Sequence, residues 1–224
     1  MANAVDVRQL DAGERRRWPI LRQSIAVPEW VLPDCCSNSL DWRPSQLLRF
    51  DGAGQVRVRR NDRVRNSESV ALSADQNAML WDWFRPFAAK GFAAWRAAHP
   101  GYLPEGDEPL RGQLIRYSAG HFFTAHSDFS FFPLVGRHRV LMALLGVSDA
   151  DAYKGGEIVF ETCPARYKLD RGDLVIYPAA LLHEVEPIVS GMRITLLAEL
   201  NAALSPTAFQ RYVDQFQHEP DPGA

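Results

Sequence analysis

Between Leu110 and Leu200 the chain is a series of short apolar runs cut by Gly, Pro and Asp, with no helix-length stretch between one run and the next. Residues 113–117, 122–126, 139–145, 157–161, 174–177 and 193–199 read as strands on this pattern. Parallel strands would need long crossovers, usually helices, so the spacing favours an antiparallel sandwich or jelly roll over a βαβ fold. Upstream, Gln55-Val56-Arg57-Val58-Arg59 alternates with period two and reads as a half-buried strand. Ser73-Ala74-Asp75-Gln76 reads as an N-cap, opening a helix that carries Met79, Leu80, Trp83, Phe84 and Phe87. A second helical stretch covers 88–98, with Pro86 and Gly91 as candidate breaks between the two, and a further helix is expected over 206–216.

The 224 residues, 46% apolar and 23% charged, suit one globular domain with a sizeable core. The expected division is 1–109 for N-terminal strands and supporting helices, 110–200 for the strand-rich core, and 201–224 for a C-terminal helix and frayed tail. A formal net charge of -2 offers no global attraction to phosphate backbones, so no nucleic-acid partner is expected. The first 21 residues lack the apolar core of a secretory signal, and no later run is long enough to span a membrane. Cys35, Cys36 and Cys163 cannot pair completely, which suits a reducing cytoplasm.

Chemistry-bearing residues cluster in the strand-rich region. His126 and Asp128 flank Ser127, and on a strand residues two apart share a face, so one imidazole and one carboxylate would be presented together. His183 follows the turn signal Tyr177-Pro178-Ala179-Ala180 and can be brought alongside by a jelly roll. Two histidines and one carboxylate on one side of a metal suit non-haem Fe(II) and O2. Arg193, ten residues after His183, sits among Met192, Ile194, Leu196 and Leu197. A buried arginine is costly unless it meets an anion, which makes Arg193 a carboxylate receptor or the partner of a nearby acid such as Glu199.

The ordered set Ile115-Arg116-Tyr117-Ser118-Ala119-Gly120, His126-Ser127-Asp128, Gly155-Gly156-Glu157, Gly172-Asp173 and His183-Glu184-Val185-Glu186-Pro187 through Arg193 resembles the prolyl 4-hydroxylase-like branch of the Fe(II)/2-oxoglutarate-dependent oxygenases. The resemblance covers roughly residues 113–200. It implies a mainly β fold with flanking helices around a double-stranded β-helix, a jelly-roll, cupin-like core. It also implies Fe(II) on His126, Asp128 and His183, the distal carboxylate of 2-oxoglutarate on Arg193 with Tyr117 beside it, O2 as oxidant and ascorbate as a candidate reductant. The activity implied is hydroxylation of an unactivated C–H bond with release of succinate and CO2, and Asp128 in the carboxylate position favours hydroxylation over halogenation. Asn61-Asp62-Arg63-Val64-Arg65 resembles the family's segment bordering the substrate cleft.

Two positions depart from the family pattern. The strand over 140–147 offers Leu144, Leu145 and Gly146 where relatives carry a further hydroxyl near the 2-oxoglutarate tail. Phe123 stands where relatives acting on peptidyl proline have tyrosine. A small molecule such as an amino acid or natural-product intermediate is therefore the expected substrate. A peptidyl side chain is the runner-up, and a non-catalytic metal-binding jelly roll and a zinc hydrolase are the contrasting classes. Arg57, Arg59, Arg60, Arg63, Arg65, Arg137 and Arg139 either line a cleft or form a solvated basic face. His121, facing away by strand parity, and His138, in an expected loop, are set aside as ligands, and Phe122, Phe123, Phe129, Phe131 and Phe132 are read as core and cleft wall.

Overall fold

The computed structural model describes residues 20–31, 40–50, 56–98, 111–128, 131–132, 137–160 and 165–203. The three cysteines, the helix expected over 206–216, His99 and His218 lie outside these residues.

Sixteen strands, one long helix and a short 3-10 helix at Ala150–Ala152 account for the described elements. In chain order the strands are β1 Leu21–Ser24, β2 Arg43–Pro44, β3 Leu47–Phe50, β4 Val56–Arg59, β5 Arg65–Asn66, β6 Glu68–Ala71, β7 Arg111–Ser118 and β8 Phe122–His126. There follow β9 Phe131–Phe132, β10 Arg137–Gly146, β11 Tyr153–Gly155, β12 Ile158–Phe160, β13 Ala165–Tyr167, β14 Asp173–Pro178, β15 His183–Val185 and β16 Ile188–Ala203. The helix, α1, is Ala74–Ala98. A large antiparallel sheet runs β1-β14-β10-β16-β7-β6-β2, and a small one runs β13-β12-β15-β8-β5. Strands distant in sequence lie side by side in both, as the jelly-roll reading expects. The N-terminal region is not separate: β1 pairs β14, β6 pairs β7 and β5 pairs β8.

The large sheet is buried on both faces. Along β16, Ile194, Leu196, Ala198 and Leu200 pack into the cluster that contains Leu80, Phe84, Ala88 and Phe92 of α1. The alternate residues Arg193, Thr195, Leu197 and Glu199 face the space between the sheets. Strand β14 divides likewise, with Leu174 and Ile176 toward α1, and Val175 and Tyr177 toward the small sheet. This two-sided burial explains why these strands read as nearly continuous apolar runs.

Helix α1 begins as expected, with reciprocal bonds between Ser73 and Gln76: the Ser73 amide donates to Gln76 Oε1 at 2.9 Å and the Gln76 amide to Ser73 Oγ at 3.2 Å. The expected break is absent. Pro86 lies inside one continuous helix, on its solvent face, while Leu80, Phe84, Ala88 and Phe92, spaced four apart, are buried on both sides of it. Tertiary burial of that stripe outweighs the lost hydrogen bond. Gly112 seats the helix on β7, since a Cβ there would meet Leu80 Cδ2 at 2.5 Å and Leu72 Cδ1 at 2.6 Å. The Gly112 amide donates to Asn77 Oδ1 at 2.7 Å. His138, expected in a loop, instead lies on β10 and pairs with Ala202.

Neighbouring residues of α1 give a test of this packing. Leu80 is fully buried and Met79 is 46% exposed. Leu80→Ala is expected to lower stability by about 2–5 kcal/mol, and Met79→Ala by no more than about 0.5 kcal/mol. Urea unfolding midpoints at unchanged slope measure both, and equal losses would place α1 differently on the sheet.

Candidate functional site

The two sheets diverge around a cleft of about 1040 Å³. His126, at the end of β8, and His183, at the start of β15, are directly paired across the small sheet. His126 Nδ1 lies 2.7 Å from the Thr124 carbonyl and His183 Nδ1 lies 2.9 Å from the Leu181 carbonyl. A carbonyl only accepts, so each Nδ1 carries the proton and each Nε2 presents a lone pair to the cleft. This is how metal-binding imidazoles are oriented. Asp128 faces them, with Oδ1 at 3.8 Å from His126 Nε2 and Oδ2 at 3.4 Å from His183 Nε2. The three donor atoms lie within 4.8 Å of one another.

Burial and the charge of His183 push the His126 imidazole down to about 4 from its ordinary 6.5, so it stays neutral and free to ligate at neutral pH. Burial alone would raise the Asp128 carboxyl. The approach of His183 Nε2, with that of His126 and the charge of Arg139, outweighs it and holds Asp128 well below the usual carboxylate range. Phe123 stacks on His126 with centroids 3.4 Å apart and shields it on one side. Two imidazoles that turn Nε2 to the cleft beside an ionised carboxylate form a donor set that fits a divalent transition metal.

Arg193 and Tyr117 are directly opposite on β16 and β7, and the guanidinium carbon lies 5.4 Å from the Tyr117 ring centroid. Arg193 is 1% exposed, yet its Nε and Nη2 have no hydrogen-bond partner. It does not pair with Glu199, which is bound instead by Arg139 at 2.5 Å. The glycine pair contributes space: Gly156, at φ +72°, would put a Cβ 3.3 Å from Arg193 Cδ and 2.2 Å from Ile188 Cδ1. Two unpartnered N–H groups of a buried cation form a receptor for a carboxylate. Thr195, two residues along the same face, has a buried hydroxyl without a partner. Sequence reasoning passed over it, looking for a hydroxyl on the strand at Leu144; Thr195 lies on the neighbouring strand, paired with Gly146.

Strand parity proved a poor guide at two positions. Strand β8 ends at His126, so Asp128 is not a strand residue and the two-apart rule does not place it. A register shift between β8 and β15 aligns Phe123 with Val185 and His126 with His183. The parity used to turn His121 away therefore fails across the shift; His121 stays out of the donor group because it precedes the strand. Tyr177, read only as part of a turn signal, donates its hydroxyl to Asp128 Oδ2 at 3.0 Å and lies 3.3 Å from His183 Nε2. Burial, with Asp128 nearby, raises the Tyr177 hydroxyl well above 10 and keeps it a donor.

Of the arginines, Arg65 and Arg139 line the cleft, as do Arg43 and Arg111. Arg60 is exposed and paired with Asp62 at 2.6 Å, and Arg63 is exposed. The side chains of Arg57, Arg59 and Arg137 are outside the description.

Residues 112–198 match the family described as the 2OG-Fe(II) oxygenase superfamily. A PKHD-type hydroxylase of Methylobacterium nodulans is 32% identical over 145 residues, covering 50% of this chain and 64% of that protein. One from Cupriavidus pinatubonensis is 42% identical over 85 residues, covering 35% of this chain and 37% of that protein. The chain thus spans less than two thirds of these curated relatives. Among solved structures, a Pseudomonas putida prolyl-4-hydroxylase superposes with a TM-score of 0.56 at 18% identity, over 87% of this chain and 96% of that one. An oxidoreductase of the 2OG-Fe(II) oxygenase family from Burkholderia pseudomallei gives 0.53 at 13% identity, over 92% and 94%. These likenesses establish a double-stranded β-helix fold, and residues 112–198 are similar to the 2OG-Fe(II) oxygenase superfamily.

Proposed function

We propose that the protein is an Fe(II)- and 2-oxoglutarate-dependent dioxygenase that hydroxylates a C–H bond of a small anionic molecule, such as an amino acid or a natural-product intermediate. His126, Asp128 and His183 hold the iron, and Arg193 holds the distal carboxylate of 2-oxoglutarate with Tyr117 and Thr195 beside it. The observation that carries this reading is the buried, half-unpartnered Arg193 in the same cleft as three convergent donor atoms. A structural or hydrolytic zinc site would account for the donors and leave Arg193 without a purpose.

Bound Fe(II), with O2 and 2-oxoglutarate, supplies the oxidising chemistry, and the co-substrate leaves as succinate and CO2. The chain's contribution is orientation and exclusion of water. Arg193 fixes one end of the co-substrate by charge-assisted hydrogen bonds. Phe123, Leu144, Ile158 and Leu197 give the cleft apolar walls, which keep solvent from a reactive centre.

The cleft's charges support an anionic substrate. Arg43 is matched by Asp41 at 2.6 Å and Arg139 by Glu199 at 2.5 Å. Arg65 and Arg111 have no carboxylate partner among the described residues. Arg65 donates Nε to Ser67 at 2.9 Å and lies 4.7 Å over the Phe123 ring, beside His126. Its guanidinium is placed to receive a substrate carboxylate at the edge of the metal site. The proposed unit of function is a single domain with its core over 110–200, in a reducing cytoplasm where Fe(II) persists.

Anaerobic addition of Fe(II) and 2-oxoglutarate, followed in the visible range, tests the site; a screen of carboxylated metabolites and prolyl peptides for succinate release tests the substrate. No charge-transfer band would sink the oxygenase reading, and turnover with peptides alone would replace the small-molecule one.

Two substitution sets separate the assigned roles. His126→Ala or His183→Ala is expected to abolish iron retention and turnover, while His121→Ala keeps metal content near wild type by elemental analysis. Asp128→Gly is expected to lose hydroxylation yet keep some iron when 2-oxoglutarate is present, because the co-substrate brings its own oxygen donors. Arg193→Leu removes a charged contact worth about 1.5–3 kcal/mol and should raise half-saturation for 2-oxoglutarate roughly ten- to hundred-fold with iron retained. An unchanged half-saturation would move the anchor elsewhere. Tyr117→Phe should act in the same direction with a smaller effect.

A further inference from the structure

Asp128 has a positional problem that the two histidines do not share. His126 and His183 are held by strand pairing and by carbonyls two residues behind them, whereas Asp128 lies two residues beyond the end of β8. Besides the two histidines, its contacts come from the opposite, large sheet. The Tyr177 hydroxyl on β14 donates to Asp128 Oδ2 at 3.0 Å, and Arg139 Nη1 on β10 donates to the Asp128 backbone carbonyl at 2.9 Å. Arg139 is held in turn by Glu199 on β16 through Nη2 at 2.5 Å. Tyr177 and Glu199 both align with Met142 of β10, so they stand in one row across β14, β10 and β16.

A β-bulge makes the arrangement possible. The β10 to β16 register shifts between Arg139 and Leu141. Leu141, Ala143 and Leu145 face α1, and strict alternation would send Arg139 to that same apolar face. The extra residue reverses its phase and turns it into the cleft. Without the bulge a guanidinium would point into the apolar face that packs on α1, and Asp128 would lose its backbone contact.

We propose that Tyr177, Arg139 and Glu199 form a clamp, built on the large sheet, that positions Asp128 for metal binding. Tyr177 engages Oδ2 and leaves Oδ1, the oxygen toward His126, as the free donor, which favours coordination through one oxygen. Arg139 fixes the backbone of Asp128, and Glu199 fixes Arg139. All three are positioning residues acting through Asp128, and Arg139 directs Nη1 and Nη2 to the protein's own framework, with Nε alone unpartnered. The proposal rests on reading His126, Asp128 and His183 as metal ligands.

The test is anaerobic titration with Co(II), a spectroscopic probe, in wild type, Tyr177→Phe, Asp128→Ala and the double variant. Tyr177→Phe keeps the ring against Phe160 and His183, so it should unfold in urea close to wild type. It is expected to weaken Co(II) binding roughly ten- to hundred-fold, as loss of a partner behind a metal ligand does. Affinity of the metal-loaded protein for 2-oxoglutarate should change less than about twofold. In the Asp128→Ala background the substitution should have a much smaller effect, because the route through Asp128 is gone and only the 3.3 Å approach to His183 Nε2 remains. Glu199→Gln should weaken Co(II) in the same direction and by less. Wild-type affinity in Tyr177→Phe, or an undiminished loss in the Asp128→Ala background, overturns the clamp and leaves the metal site standing. Failure of wild type to bind Co(II) or Fe(II) overturns both.

Discussion

A sheet covered on both faces has no tolerance for the wrong side chain on either. The large sheet lies between α1 and the small sheet, and the buried residues of β10, β14 and β16 are thereby assigned to an oily layer or to the cleft. A one-residue slip of β16 would drive Arg193 and Glu199 into the apolar layer that packs on α1, at the cost of burying an unpaired charge. That penalty fixes the register. Because the register is fixed, Arg193, Thr195, Leu197 and Glu199 form an ordered row from the receptor end of the cleft to the level of Tyr177 and Asp128.

The site is where regularity is given up. Register shifts occur beside His126 and beside Arg139, and both alter which side chains share a face. The first brings Phe123 onto the His126 ring despite a three-residue spacing. The second turns Arg139 toward Asp128. Bulges gather near active sites because they re-aim single side chains without disturbing the rest of a strand, and here they act on opposite sheets to converge on one carboxylate.

This division explains what could be read in the sequence. Strand positions were legible because two-sided burial leaves continuous apolar runs, and the expected strand at 122–126 coincides with β8. The buried cation at 193 was legible because it interrupts such a run. Asp128 was picked out for a reason that does not hold, since it stands beyond its strand. Tyr177, Arg139 and Glu199 gave no local signal, because their partners are 49, 11 and 60 residues away in the chain and a bulge belongs to a pairing, not to either strand alone. The helix misreading has the same origin: Pro86 is a local breaker, and the stripe that overrides it is stabilised by residues of β7, β10, β14 and β16.

Electrostatics ties the two ends of the cleft together. At one end Asp128 is ionised among groups that need a cation to complete them, and at the other Arg193 is a cation that needs an anion. Each vacant charge alone weakens the fold, because desolvation is uncompensated. A metal ion satisfies the first and a dicarboxylate chelating that ion satisfies both. The distance between the ends therefore selects the ligand: a molecule too short to reach Arg193 from the metal leaves the buried guanidinium unpaired and forfeits its charge-assisted bonds. Anything that binds only the folded state also stabilises it in proportion to the logarithm of its concentration over Kd. Under the proposed reading, recognition of the co-substrate and completion of the core are one physical event, and the burial that makes Arg193 costly in isolation is what would make it selective.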